Sequence, residues 1–185
     1  LDSDKDINNL LEQIKPRLHP MDVIRTIVSY IGESEKKSDL EATTQISAAV
    51  SYVIASYNES KTSELDDAYT VASSMLSNDA SNDQLQALDD ILILYAEHGF
   101  NASTFATRVT GSTRSDLTSS IVSGIGTLKG ELHGGANERA VELINSFKDV
   151  EDAATGVMKM LDEKKKIMGF GHGVYKIQDP RSPVV

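Results

Sequence analysis

Cysteine and tryptophan are both absent from this chain of 185 residues. Without cysteine it can form neither disulfides nor thiolate metal sites. Aromatic residues are scarce at 5%, against 39% hydrophobic residues in all, so the core is aliphatic with some Met and Tyr. Long apolar runs are missing too, and none approaches the roughly 18 residues that a membrane helix needs. Positive charge is in deficit, with 18 Lys and Arg against 28 Asp and Glu and a formal net charge of −10. Nucleic acid is therefore not an expected partner, since neutralising phosphates takes a basic face. An anionic small ligand stays open, because a few placed cations dominate the field around them. The opening residues Leu1-Asp2-Ser3-Asp4-Lys5-Asp6 have neither the basic nor the apolar stretch of a secretory signal. The cytoplasm is the expected compartment, with no membrane partner.

What is present is helical periodicity. Val23, Ile24, Ile27, Val28 and Ile31 share one face after His19-Pro20, where Pro20 suits a first turn and Gly32 is placed to stop the helix. Ile46, Ala49, Val50, Val53, Ile54 and Tyr57 form a second stripe. Leu65, Ala68, Tyr69, Ala72, Met75 and Leu76 form a third, closed by a polar turn at residues 77–82. Leu85, Leu88, Ile91, Leu92 and Tyr95 give a fourth, which runs into Glu97-His98. Leu117, Ile121, Val122, Ile125 and Leu128 predict another helix, with Ser115 as its N-cap. Val141, Ile144 and Phe147, then Val150, Ala154, Val157, Met158 and Leu161, complete the set. Only residues 167–170 hint at a strand. The fold class is all-α.

The chain has four histidines, and three stand in unusual settings. His98 follows an acid, in Ala96-Glu97-His98-Gly99-Phe100-Asn101. His133 precedes two glycines, in Leu132-His133-Gly134-Gly135-Ala136-Asn137. His172 follows Gly169-Phe170-Gly171 and leads to Asp179-Pro180-Arg181. Histidine is the side chain most readily tuned to act as acid, base or neutral donor near pH 7. Glycine lets a ligand come close to the backbone.

A helical pattern follows His133, which places it at or just before a helix N-terminus. The positive end of that dipole favours an uncharged ring. A neutral imidazole there can donate to an oxygen that becomes an enolate, and Gly134 and Gly135 leave room for a bulky thioester. Arg181 offers the planar fork that binds a carboxylate bidentately, and His172 can donate to a keto oxygen. The other reading of each motif is a glycine-rich turn with an incidental histidine or a surface arginine. Asn101, Ser103 and Thr104 read as the cap of the next helix or as a hydrogen-bonding shell beside His98. His19 reads as a helix entry, with Asp22 favoured in the first turn by the dipole.

Taken together, the three settings resemble the three histidine motifs of the citrate synthase family, which includes the 2-methylcitrate synthases. The resemblance runs from about His19 to Pro183, and the stretch from His172 to Arg181 is its most specific part. HPMDVIRT, from His19 to Thr26, is similar to the form seen in 2-methylcitrate synthases. The resemblance implies a citrate synthase-like multi-helical large domain over 1–133 and the start of a smaller helical domain over 134–185, both incomplete. Complete members of the family are longer, which makes this a middle piece.

The resemblance also implies the roles. His133 polarises the acyl-CoA carbonyl, His172 meets the electrophilic keto carbonyl, His98 binds oxaloacetate, and Arg181 holds one of its carboxylates. CoA contacts fall to Lys164, Lys165 and Lys166 and to the turn Gly169, Phe170 and Gly171, although a lysine run is also commonly just solvated. Gly173 departs from the family, which carries a larger residue there, Arg or Pro. The catalytic base, an aspartate in the family, would lie past Val185, as would further substrate arginines. Asp179 belongs to the DPR turn and is not promoted to that role.

Phosphate-cradling, dinucleotide and metal-binding motifs are not found, so no metal and no cofactor beyond the CoA thioester substrate is expected. The function implied is condensation of acetyl-CoA or propionyl-CoA with oxaloacetate to give citrate or 2-methylcitrate and CoA. The rival is a non-catalytic acyl-CoA- or dicarboxylate-binding protein on a degenerate scaffold of the same family. A homodimer is expected, because the family's corresponding helices pack across a two-fold. Segment 39–57 carries the small residues Ala42, Ala48, Ala49 and Ala55, which allow close approach.

Overall fold

The computed structural model describes residues 3–32, 38–57, 75–76, 79–96, 99, 101–172 and 175–184. Among them the chain is all-α, with helices α1 (Ser3–Ile14), α2 (Pro20–Ile31), α3 (Asp39–Tyr57), α4 (Asn82–Leu94), α5 (Ala102–Ser112), α6 (Leu117–Leu128), α7 (Gly135–Asn145) and α8 (Val150–Asp162). Two compact units divide the chain: residues 1–126 with 180–185, and residues 127–179. The division falls in the last turn of α6. Most of the third predicted stripe, from Leu65 to Ala72, lies outside the described residues.

The core of the first unit lies on α2. His19 caps that helix through its own ring, whose Nδ1 accepts the Met21 N–H at 3.2 Å. Pro20 takes the first helical position, and Asp22 stands in the first turn, paired with Arg25 at 2.9 Å. Val23, Ile27 and Val28 are fully buried, as is Val53 of α3. Burial of each such side chain stabilises the fold by about 1.5–3 kcal/mol. Leu11 of α1 joins Val23, Ile27 and Val53, while Val28, Ile31 and Ile46 form a second cluster that Ile121, Val122 and Ile125 of α6 cover. Helix α1 is an addition to the pattern reading, which begins at His19. Its Ile7, Leu10, Leu11 and Ile14 recur at helical spacing and pack on the first cluster.

Gly32 ends α2 in ordinary right-handed conformation, φ −72°. Its glycine is needed for another reason: a Cβ there would run into the Thr118 side chain at the start of α6. That start also corrects an expectation. Asp116, not Ser115, caps α6: one carboxylate oxygen accepts the Ser119 N–H at 2.7 Å and the other the Ser119 hydroxyl at 2.6 Å. Asp outperforms Ser here because its two oxygens satisfy two donors at once.

The second unit holds α7 and α8, joined at residues 146–149. Asp149 caps α8 by accepting the Asp152 N–H at 2.9 Å, and Phe147 occupies the space beside Gly156. The stripes predicted to face inward on these helices are largely exposed: Val141 and Ile144 on α7, and Val150, Met158 and Leu161 on α8, with Val150 at 85%. On α8 the half-buried face is Ala153, Gly156, Val157 and Met160. The helix is apolar around more than one face, so periodicity alone does not decide which face is covered. No strand forms at residues 167–170. Gly169 adopts φ +90° and the Phe170 N–H turns back to the Ile167 carbonyl at 3.3 Å, which breaks any extended run.

Candidate active site

His133 stands where the sequence places it, two residues before α7. The chain leaves α6 at Leu128 and folds back through a tight turn: the His133 N–H meets the Gly130 carbonyl at 2.9 Å and the Gly134 N–H the Leu128 carbonyl at 2.8 Å. The His133 carbonyl then accepts the Ala136 N–H at 3.1 Å, so the residue is already tied into the first helical turn. No side chain caps this end of α7. Backbone carbonyls take its first amides instead, Leu128 that of Gly134, Gly130 that of Gly135 and His133 that of Ala136, so what reaches the half-buried His133 is the helix dipole and not a set of open N–H groups.

The two glycines have a local purpose that the sequence reading assigned to substrate. A Cβ on Gly134 would fall on the Leu128 carbonyl oxygen, and one on Gly135 would come to 3.1 Å from the Gly130 carbonyl oxygen. Gly134 is required by the turn's own backbone packing, and at Gly135 that packing is tight. An ion pair between Arg139 and Glu131, at 2.9 Å, spans the same turn.

His172 lies in the same unit, after a turn in which Gly169 and Gly171 both take positive φ, +90° and +80°. Those left-handed angles exclude side chains at low energy and account for the G-x-G spacing. The turn rests on α7, where the Ala140 Cβ lies 3.3 Å from where a Gly169 Cβ would be. The loop bearing His172 and the turn bearing His133 are thus both built on α7. Tyr175 fixes the imidazole in two ways. Its backbone N–H donates to His172 Nδ1 at 3.1 Å, and its ring stacks on the imidazole with centroids 4.7 Å apart and planes 22° from parallel. With Nδ1 accepting, the proton of the neutral ring sits on Nε2, the tautomer that can donate to a carbonyl oxygen. The signal for Tyr175 was its spacing three residues after His172.

Arg181 belongs to the first unit. Its guanidinium lies over the Tyr95 ring, 4.7 Å from the centroid. Tyr95 is the C-cap of α4, its N–H bonded to the Ile91 carbonyl at 2.9 Å. The sequence reading took Tyr95 as a core residue, yet it is 57% exposed. Arg181 therefore sits at the end of α4 that leads to His98. His98 itself, Glu97 and Gly173 lie outside the described residues. Asn101 is the cap expected of it, accepting the N–H groups of Ser103 at 2.9 Å and Thr104 at 3.2 Å.

The lysine run takes its shape from the end of α8. Lys164 adopts φ +54°, and the Lys164 and Lys165 N–H groups return to the carbonyls of Leu161 and Met160 at 3.0 and 2.8 Å, a helix terminator usually built on glycine. Lys165 pairs with Glu163 at 2.6 Å. All three lysines are exposed, as are Gly169, Phe170 and Gly171.

Residues 2–185 match the family model for the C-terminal domain of citrate synthase. The chain belongs to the citrate synthase family. It is 41% identical to the 2-methylcitrate synthase of Shewanella oneidensis over 97% of its own length and 51% of that protein. With the citrate synthase of Deinococcus radiodurans it shares 36% identity, covering 95% of this chain and 51% of the other. Its fold matches a solved ternary complex of Thermoplasma acidophilum citrate synthase with carboxymethyl coenzyme A and oxaloacetate. There the TM-score is 0.73 at 29% identity, over 96% of this chain and 51% of that one. The chain spans about half the length of the citrate synthase family proteins it matches. Among the described residues, no helix is long and apolar enough to cross a membrane.

Proposed function

We propose that the protein carrying this chain condenses acetyl-CoA or propionyl-CoA with oxaloacetate, giving citrate or 2-methylcitrate and CoA. The observation that supports this reading is His133 held by a tight backbone turn immediately before the N-terminus of α7. In the proposed reaction a carboxylate base takes the α-proton of the thioester while His133 donates to the thioester oxygen and stabilises the enol. The enol carbon then bonds to the keto carbon of oxaloacetate. His172 protonates the alkoxide from Nε2, with His98 and Arg181 holding the keto acid. Water finally cleaves the thioester and releases CoA. Orientation of the two substrates supplies much of the rate.

Family membership supports condensation over a degenerate binding scaffold. Acetyl and propionyl groups differ by one methylene, worth about 1–3 kcal/mol in a pocket, and both chemistries occur among the relatives. The exposed Lys164, Lys165 and Lys166, with Gly169, Phe170 and Gly171, are the proposed CoA contacts. No cofactor enters beyond the thioester, and the compartment proposed is the cytoplasm. The large-to-small domain division is placed near residue 134 on the family resemblance. A homodimer belongs to the same reading, with Ala48 on the exposed side of α3 and Ala55 buried in its own core.

The test is His133→Ala in the catalytically complete protein. The expected result is a fall in kcat of roughly 10²–10⁴-fold, the range for a positioned donor or acid–base group, with oxaloacetate affinity by calorimetry little changed. An equal loss of oxaloacetate affinity would make His133 a keto-acid ligand instead.

A further inference from the structure

We propose that Tyr175 is a positioning residue for His172: its ring sets the plane of the imidazole, so that its own backbone N–H meets Nδ1 and the proton of the neutral ring is kept on Nε2. The proposal rests on the reading of His172 given above. Three observations support it. First, the Tyr175 ring stacks on the imidazole, with centroids 4.7 Å apart and planes 22° from parallel, inside the range of an offset aromatic stack. Second, the Tyr175 N–H donates to Nδ1 at 3.1 Å. Third, core packing does not account for the plane of the imidazole. His172 is exposed, and beside it Gly171 takes φ +80° with open space where a Cβ would be. Tyr175 is the half-buried member of the pair.

The two contacts depend on each other. A histidine's own torsion holds its ring plane only loosely, since rotation about the bond to a planar ring is broad. The Nδ1 lone pair lies in that plane, so an N–H aligns with it over a narrow range of ring rotations. A stacked ring restricts the rotation to that range. One residue, three positions along the chain and in the same compact unit, thus supplies both restraints. Nε2 then carries the proton of the neutral ring, whatever that proton meets before the keto acid arrives. A donor oriented beforehand costs no reorganisation as charge develops on the keto oxygen.

The experiment is Tyr175→Phe and Tyr175→Leu in the catalytically complete protein, with His172→Gln alongside. The readings are kcat, both KM values and the ¹⁵N NMR shifts of the His172 ring nitrogens at about pH 8, where an ordinary imidazole is neutral. In the native protein Nε2 should carry the proton. Tyr175→Leu keeps the amide but has no ring to stack. It is expected to draw the two nitrogen shifts together as the tautomers mix. It should also lower kcat about 2- to 10-fold, the size of effect expected from an aromatic pair, with acyl-CoA KM unmoved. Tyr175→Phe keeps both contacts and should restore the native tautomer and most of kcat. A merely structural residue would not move the shifts. A lower kcat in Tyr175→Leu with unchanged shifts, or equal losses in the Leu and Phe variants, overturns the proposal. If Tyr175→Leu changes nothing while His172→Gln abolishes turnover, Tyr175 does not position His172 and the role of His172 stands. If His172→Gln is silent as well, that role falls and the inference goes with it. Should Tyr175→Leu fail to fold by circular dichroism, the native and Tyr175→Phe spectra decide: a proton on Nε2 in both sustains the proposal, and one on Nδ1 in either overturns it.

Discussion

Asp116 shows how a single side chain ties local chemistry to solution behaviour. Its carboxyl sits below the usual carboxylate range, first because the Ser119 hydroxyl donates to it and then because the Ser119 N–H does. A depressed folded-state value means that the stabilisation is complete above the unfolded value of about 3.9 and is lost as pH falls through the folded one. Asp116→Ala should therefore lower stability by about 0.5–2 kcal/mol at pH 7, the usual worth of an N-cap. In urea melts run toward acid, the gap between the two proteins should narrow below pH ~4. A gap independent of pH would mean that the carboxylate is not the capping group. At the residue scale the helix entry at His19 and the cap at Asn101 were legible, because each interaction stays within three residues. Choosing between Ser115 and Asp116 was harder, because adjacent capping residues give the same signal. Arg181 on Tyr95 was beyond reach, since nothing local in the sequence links the end of α4 to the DPR turn.

Between elements, the deciding quantity is how closely two helices approach. Gly32 and Gly126 look alike in the sequence, both small residues at or near a helix end. Their surroundings differ completely: a Cβ on Gly32 collides with Thr118, whose own Cβ is 2.5 Å away, whereas one on Gly126 meets nothing within 4 Å. Gly32→Ala should therefore destabilise by about 1–3 kcal/mol, as overpacking does. Gly126→Ala should stabilise α6 by roughly 0.5–1 kcal/mol through lower backbone entropy in the unfolded chain. Thermal melts of the two variants should move in opposite directions, and movement in the same direction would mean that the α2–α6 contact is looser than it stands. Helix α2 was readable because it carries a single apolar face, Val23, Ile27, Val28 and Ile31. On α8 periodicity did not settle which face packs, since exposed Met158 and Leu161 border the half-buried face of Ala153, Gly156, Val157 and Met160 and carry the same apolar signal. The turn at Gly169 was misread as extended because a short run of Ile, Met and Phe carries strand propensity, while the positive φ of the glycine overrides it.

For the molecule as a whole, the question is whether residues 1–185 hold a complete catalytic set. The family resemblance puts His98, His133, His172 and Arg181 inside it and the base outside. The described carboxylates of the second unit point the same way, because several are committed elsewhere. Glu131 pairs with Arg139, Asp149 caps α8, Asp152 accepts the Lys148 N–H at 3.1 Å, and Glu163 pairs with Lys165. Proton abstraction α to a thioester needs a base within hydrogen-bond reach of the carbon acid. Residues 1–185 expressed alone should therefore release no CoA from acetyl-CoA or propionyl-CoA with oxaloacetate. The exposed apolar sides of α7 and α8 should make this chain prone to self-association at high concentration, so the assay belongs at low micromolar protein, with light scattering run in parallel. Thiol release above the buffer rate from a monodisperse sample would place a base within these residues, and the roles given to His133 and His172 would have to be exchanged or reassigned.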